Sequence, residues 1–162
     1  MKIGHSIKTG LSFGLTSGII TTLGLMIGLD AGTHSRLAVL GGIIVIAVAD
    51  GLADAMSIHI SEESEGTHTA LQVWKSAAAA FFSKAVLTLS FAVIVLAFEL
   101  PTAIIISLVW GTLLLTTLSY GLAKLEKAVA WKVIAEHLAI ATFVIVVSFL
   151  VGNWVSINFG GI

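Results

Sequence analysis

Two aspartates four residues apart, Asp50 and Asp54, lie in a stretch that is otherwise apolar enough for lipid. A carboxylate at the centre of a bilayer costs about 2.5–3.5 kcal/mol on insertion scales, so a helix carrying two needs a counter-charge, water or a ligand. Ionisable residues so placed mark ion or proton pathways by default. On a regular helix Asp50 and Asp54 share one face, which Ser57, Ser61 and Glu65 continue. Met56, His59 and Glu63 form a second stripe. Glu62, Glu63 and Glu65 crowd the end of the segment, where acids raise the local concentration of cations. Oxygen and imidazole donors suit divalent ions such as manganese and iron, and a thioether favours softer ions over magnesium or calcium. The candidate metal ligands are therefore Asp50, Asp54, Met56, His59, Glu62, Glu63 and Glu65. Two carboxylates one turn apart in a low dielectric also suit a proton carrier, because both cannot be charged cheaply. Plainer roles stand beside these. Lys84 could pair with either aspartate or snorkel to the interface. Met56 could simply pack, His59 could be an ordinary solvated histidine, and the glutamates could form a solvated helix end.

The elements that position these groups follow from composition. The 162 residues are 57% hydrophobic and only 10% charged, with a net charge of −1. Soluble domains carry about 25% charged residues, so the chain reads as a single all-α membrane domain with little soluble mass. Nothing in it forms a basic patch for nucleic acid. It has no cysteine, which removes disulfides, thiolate metal sites and cysteine nucleophiles. A span needs about 20 apolar residues, and five segments qualify, at 9–29, 37–58, 77–98, 101–122 and 137–156. The first apolar run continues to Leu29, too long for a signal peptide, with no small-residue cleavage site after it. It is expected to be a retained span. Pro101 breaks the chain between spans three and four and makes them a hairpin. The remaining connections are short, apart from an acidic segment at 59–75.

With five spans the termini lie on opposite sides. Lys2, Lys8, Lys75, Lys84, Lys124, Lys127 and Lys132 fall on one side and Arg36 on the other. Basic residues mark the cytoplasmic side, so the N-terminus is expected inside and the C-terminus outside. Trp74, Trp131 and Trp154 sit at span ends, the level indoles prefer; Trp110 does not. Gly10, Gly14 and Gly18 strip one face of the first span, and Thr21, Thr22, Gly24 and Gly28 extend its small character. Backbones can approach closely there, within the bundle, across a homodimer or along a pore.

The run Gly14-Leu15-Thr16-Ser17-Gly18-Ile19-Ile20-Thr21-Thr22-Leu23-Gly24-Leu25 resembles the first-helix signature of the vacuolar iron transporter family. The second helix, ending Ser57-Ile58-His59-Ile60-Ser61-Glu62-Glu63, is similar to that family's second helix. Trp131-Lys132 with the apolar helix ending Phe149-Leu150-Val151-Gly152 looks like its last. The likeness covers the whole membrane part. It implies a homodimer that moves ferrous iron and related divalent metals out of the cytosol, coupled to protons. The family's first-helix aspartate falls on Ser17, its second-helix glutamate on Met56 and its methionine on Leu52, while Asp50 and Asp54 have no counterpart in that register. The family's larger acidic domain is reduced to residues 59–75.

These readings together predict a transporter of Fe2+ or Mn2+. The glutamates and His59 would gather metal, Asp54 and Asp50 would pass it on, and Ser17, Thr21 and Thr22 of helix one would lie alongside. The partners are the bilayer, the divalent ion, protons and a second copy. No resident cofactor is expected, and no enzyme: an intramembrane aspartyl protease also uses two aspartates, but they must face each other to share a proton. Here both lie on one helix. The alternative is a non-transporting scaffold, which a direct Lys84–aspartate bond and a sealed interior would favour.

Overall fold

The computed structural model describes residues 4–160, which form five long helices with no strand among them. They are α1 (His5–Thr33), α2 (Arg36–Glu65), α3 (Ala70–Ala97), α4 (Leu100–Glu126) and α5 (Ala130–Phe159). Each is long and apolar enough to cross a membrane, as a multi-pass protein requires. Lys2 lies outside the described residues.

Local signals account for the boundaries. Ser35 caps α2 by accepting from the Ala38 N–H at 3.2 Å. Thr69 and Gln72 close a reciprocal capping box on α3. Gly66 ends α2 in the left-handed conformation at φ 64°, where a residue without Cβ meets no steric penalty. Pro101 occupies the first turn of α4, where its missing N–H leaves nothing unsatisfied. The expected hairpin of α3 and α4 forms around it. Arg36 ties the far end of α3 to α2: its Nε donates to the Val95 carbonyl at 2.9 Å and its Nη2 to the Leu96 carbonyl at 2.7 Å.

The helices run beyond the expected spans, α5 from Ala130 where 137 was expected, and most of all around the acidic segment. The acidic segment at 59–75 is mostly helix, since α2 runs unbroken to Glu65 and α3 starts at Ala70. Uncapped polar residues such as Ser61 to Glu65 add further turns to an apolar span once the span itself is nucleated. Lys84 consequently lies half-way along α3 and not toward one end of it.

Helix α1 is the hub, packing on α3 with its first half and on α5 with its second. A Cβ on Gly10 would lie 2.1 Å from the Ser76 carbonyl oxygen, and one on Gly14 would lie 2.3 Å from that of Ala80. The glycine stripe is thus filled by α3 of the same chain. Farther along, a Cβ on Gly152 of α5 would lie 2.1 Å from the Gly28 carbonyl oxygen, so a second close seam joins α1 to α5. Beyond the middle of the bundle the interior is apolar, built around Met26, Ile43, Phe91 and Val95. Trp74, Trp131 and Trp154 are exposed near helix ends. Trp110, within α4, donates its indole N–H to Ser90 Oγ of α3 at 3.2 Å, which explains an indole so far from the interfaces.

Candidate functional site

The second helix is not regular. Residues Ile46–Asp50 make a π-helical turn, closed by the Gly51 N–H reaching the Ile46 carbonyl five residues back. One extra residue in a turn swings everything after it by about 100°. Upstream, Val39, Ile43 and Ala47 are buried; downstream, Gly51, Ala55, Ile58 and Glu62 are. Four-residue steps along a regular helix would drift steadily off the core, and the π turn takes back part of that drift. Such turns recur at functional sites, and this one ends on Asp50.

Its consequence is a charged cluster at the centre of the bundle. The Lys84 ammonium, fully buried, contacts Asp50 Oδ2, reaches Asp54 Oδ2 at 2.5 Å and donates to Ser17 Oγ at 3.0 Å. Ser17 in turn donates to Asp54 Oδ2 at 2.7 Å. All three ammonium N–H groups therefore have oxygen partners. Lys84 joins both aspartates and does not snorkel. The cluster is not closed on every side: the Asp54 side chain is 17% exposed and that of Asp50 is 40% exposed.

One turn farther along α1 and α3, the buried hydroxyls of Thr22 and Thr88 stand 3.1 Å apart, with Thr22 also donating to the Gly18 carbonyl. Thr21 donates to the Ser17 carbonyl at 2.8 Å. In the other direction, toward the N-terminal face, Glu62 is buried. It accepts from Ser6 Oγ at 2.6 Å, with Ser76 Oγ at 3.4 Å and His68 Nε2 at 3.4 Å. Ser76 donates to the Ser6 carbonyl at 2.6 Å. Polar groups thus form three levels along the seam of α1, α2 and α3. Buried Ile58 and Ala55 separate Glu62 from the Asp54 level.

The predicted ligands divide accordingly. Asp50 and Asp54 meet at the central cluster, and Glu62 holds the outer level. Ser57, Ser61 and Glu65 do not extend the buried cluster: they are exposed, and Ser57 bonds its own Ala53 carbonyl. The buried face of this helix is formed by Gly51, Ala55, Ile58 and Glu62, and Asp54 lies at its edge, so residues in line with Asp54 farther along the helix pass out of the core. His59 lies against the Trp74 ring, centroids 4.4 Å apart, with Glu63 at 3.7 Å. Met56 is 47% exposed on the outside of the bundle. Among the described residues no three His, Asp or Glu side chains converge to hold a metal ion. Ser6, Ser76 and His68 were not anticipated; nothing in their spacing relative to Glu62 marks them, because three separate helices bring them together. No family model, curated protein or solved structure matches the chain.

Proposed function

We propose that this chain is a proton-linked carrier of divalent cations, with Asp50 and Asp54 as the intramembrane ligands for the cargo. The observation that carries the reading is the oxygen cage around the Lys84 ammonium, halfway through the bundle. Two carboxylates and a hydroxyl already hold one cation there. With both acids ionised, one ammonium leaves the cluster one negative charge in excess, and an excess charge at this partly enclosed site favours a proton or a second cation. Were the ammonium to give up its proton, the two carboxylates would match a divalent ion. Exchange of proton for metal is the chemistry this charge balance supports.

Asp50, Asp54 and Ser17 offer oxygen donors, which suit manganese better than iron, and the thioether of Met56 faces away. The resemblance to vacuolar iron transporters supports the divalent class and export from the cytosol. The lysines at the N-terminal face support an inside N-terminus. A homodimer covering the outer face of α2 would shield Asp50 from lipid and bring Met56 near a path. The direct Lys84–aspartate bonds favour a second reading, a scaffold in which the cluster is purely structural.

Uptake of Mn2+ and Fe2+ into proteoliposomes separates the two. Asp50→Asn alone leaves Lys84 its bond to Asp54 and so preserves the fold. Native protein is expected to accumulate Mn2+ under a proton gradient, and Asp50→Asn to lose at least about tenfold in rate, one lost charged contact. Absence of transport by native protein, or an undiminished rate in the variant, would overturn the carrier reading.

A further inference from the structure

Away from the carboxylates, the ends of α1, α4 and α5 at the N-terminal face frame a separate cleft of about 590 Å³, within the size range of small-molecule sites. Its walls include Lys8, Phe13 and Thr16 of α1, Leu122 and Glu126 of α4, and His137 of α5. Lys8 and Glu126 bring opposite charges to one cavity, and among the described residues neither forms an ion pair.

The orientation of the His137 ring follows from its neighbour. Ser119 Oγ lies 2.6 Å from the Leu115 carbonyl oxygen and 2.8 Å from His137 Nδ1. Two oxygens that close must share a hydrogen, and the carbonyl has none. The single hydroxyl proton is therefore committed to Leu115, and Nδ1–H must be the donor to Ser119. In the neutral ring Nε2 then keeps a bare lone pair, on the edge turned away from Ser119. The cleft thus offers one cation, one carboxylate and an imidazole edge above an apolar wall.

The residues around it are those of a headgroup level. Trp131 is exposed at the same end of the bundle, with the Lys132 ammonium 5.9 Å from its ring, and Lys124 lies 4.6 Å from the Tyr120 ring. Aromatic and basic residues of this kind gather where lipid meets water.

We propose that the cleft binds a phospholipid with a primary ammonium headgroup, of the ethanolamine type. The phosphate sits by Lys8, the ammonium donates to Glu126 and His137 Nε2, and the upper acyl chain lies on Phe13 and Leu122. A choline headgroup has no N–H to donate, and a glycerol headgroup has no cation for Glu126. The assignment is independent of what the central cluster transports.

Native mass spectrometry of the purified full chain in detergent, titrated with dioleoyl ethanolamine, choline and glycerol phospholipids, tests it. The ethanolamine lipid is expected to bind about tenfold more tightly than the other two, the equivalent of one charge-assisted hydrogen bond. Glu126→Gln should reduce that preference to about twofold or less. Lys8→Gln should weaken ethanolamine and choline lipids alike, while Leu122→Trp, which fills the cleft, should abolish specific binding of all three. Equal binding of ethanolamine and choline lipids by the native chain overturns the proposal. So does a preference that survives both Glu126→Gln and Leu122→Trp.

Discussion

Replacing Lys84 by methionine removes the ammonium at the centre of the bundle while keeping an unbranched side chain of similar length. At 2.5 Å from Asp54, the attraction is about 7 kcal/mol for an effective dielectric near 20. Burying the ammonium offsets most of this, since desolvation costs several kcal/mol per ion. What the substitution exposes is the remainder left behind: two carboxylates a turn apart, one of them only 17% exposed, with Ser17 of α1 still donating to Asp54. Removing one partner of a buried ion pair costs about 3–5 kcal/mol. The loss should fall at the lower end, because Asp50 is 40% exposed and its charge is partly screened. Lys84→Met is therefore expected to lose about 3 kcal/mol, read as a shift in reversible unfolding in mixed detergent micelles. Adding Asp50→Asn and Asp54→Asn to the same chain removes the stranded charge and should recover at least about 2 kcal/mol. Such non-additivity is the signature of groups that act together. A Lys84→Met chain as stable as the native one, or a triple variant no better than the single, would refute the charge accounting at this site.

Two further outcomes follow from the packing. Gly14→Ala puts a Cβ 2.3 Å from the Ala80 carbonyl oxygen and should cost about 1–3 kcal/mol by prising α1 from α3. Gly41→Ala meets nothing within 4 Å and should be neutral or gain up to about 1 kcal/mol from helix propensity; the same unfolding assay compares them. Arg36→Gln forfeits the bonds to the Val95 and Leu96 carbonyls. It should cost about 1.5–3 kcal/mol and accelerate amide hydrogen exchange in the last turn of α3, with no change at the opposite end.

Helix number, the α3–α4 hairpin and the placing of Trp74, Trp131 and Trp154 near helix ends were legible in the chain because each depends on local quantities. Twenty apolar residues must form a helix in lipid, since only a helix satisfies its own backbone there. A proline must lie at an end, and an indole seeks the headgroups wherever the rest of the fold sits. The close approach of α1 was also written in its glycines. Which helix fills the stripe was not, because a face without side chains accepts any partner. Only the assembled bundle assigns α3 to Gly10 and Gly14, and α5 to Gly28.

The site divides along the same line. The sequence shows that Asp50 and Asp54 need a counter-charge, since an unpaired carboxylate in lipid is costly whatever the topology. It offers Lys84 as one candidate without choosing between the aspartates. That Lys84 joins both depends on the π turn at Ile46–Asp50, which hydrophobic periodicity does not reveal, and on the depth of Lys84 in α3. Farther along α2, Ser57, Ser61 and Glu65 are exposed and Glu62 is buried beside Ser6 and Ser76. Residue type, through desolvation, determined that the middle of this protein must hold paired charge. The rotation and contact of three helices, which no spacing along one of them encodes, decided that Lys84, both aspartates and Ser17 form the pair's single cage.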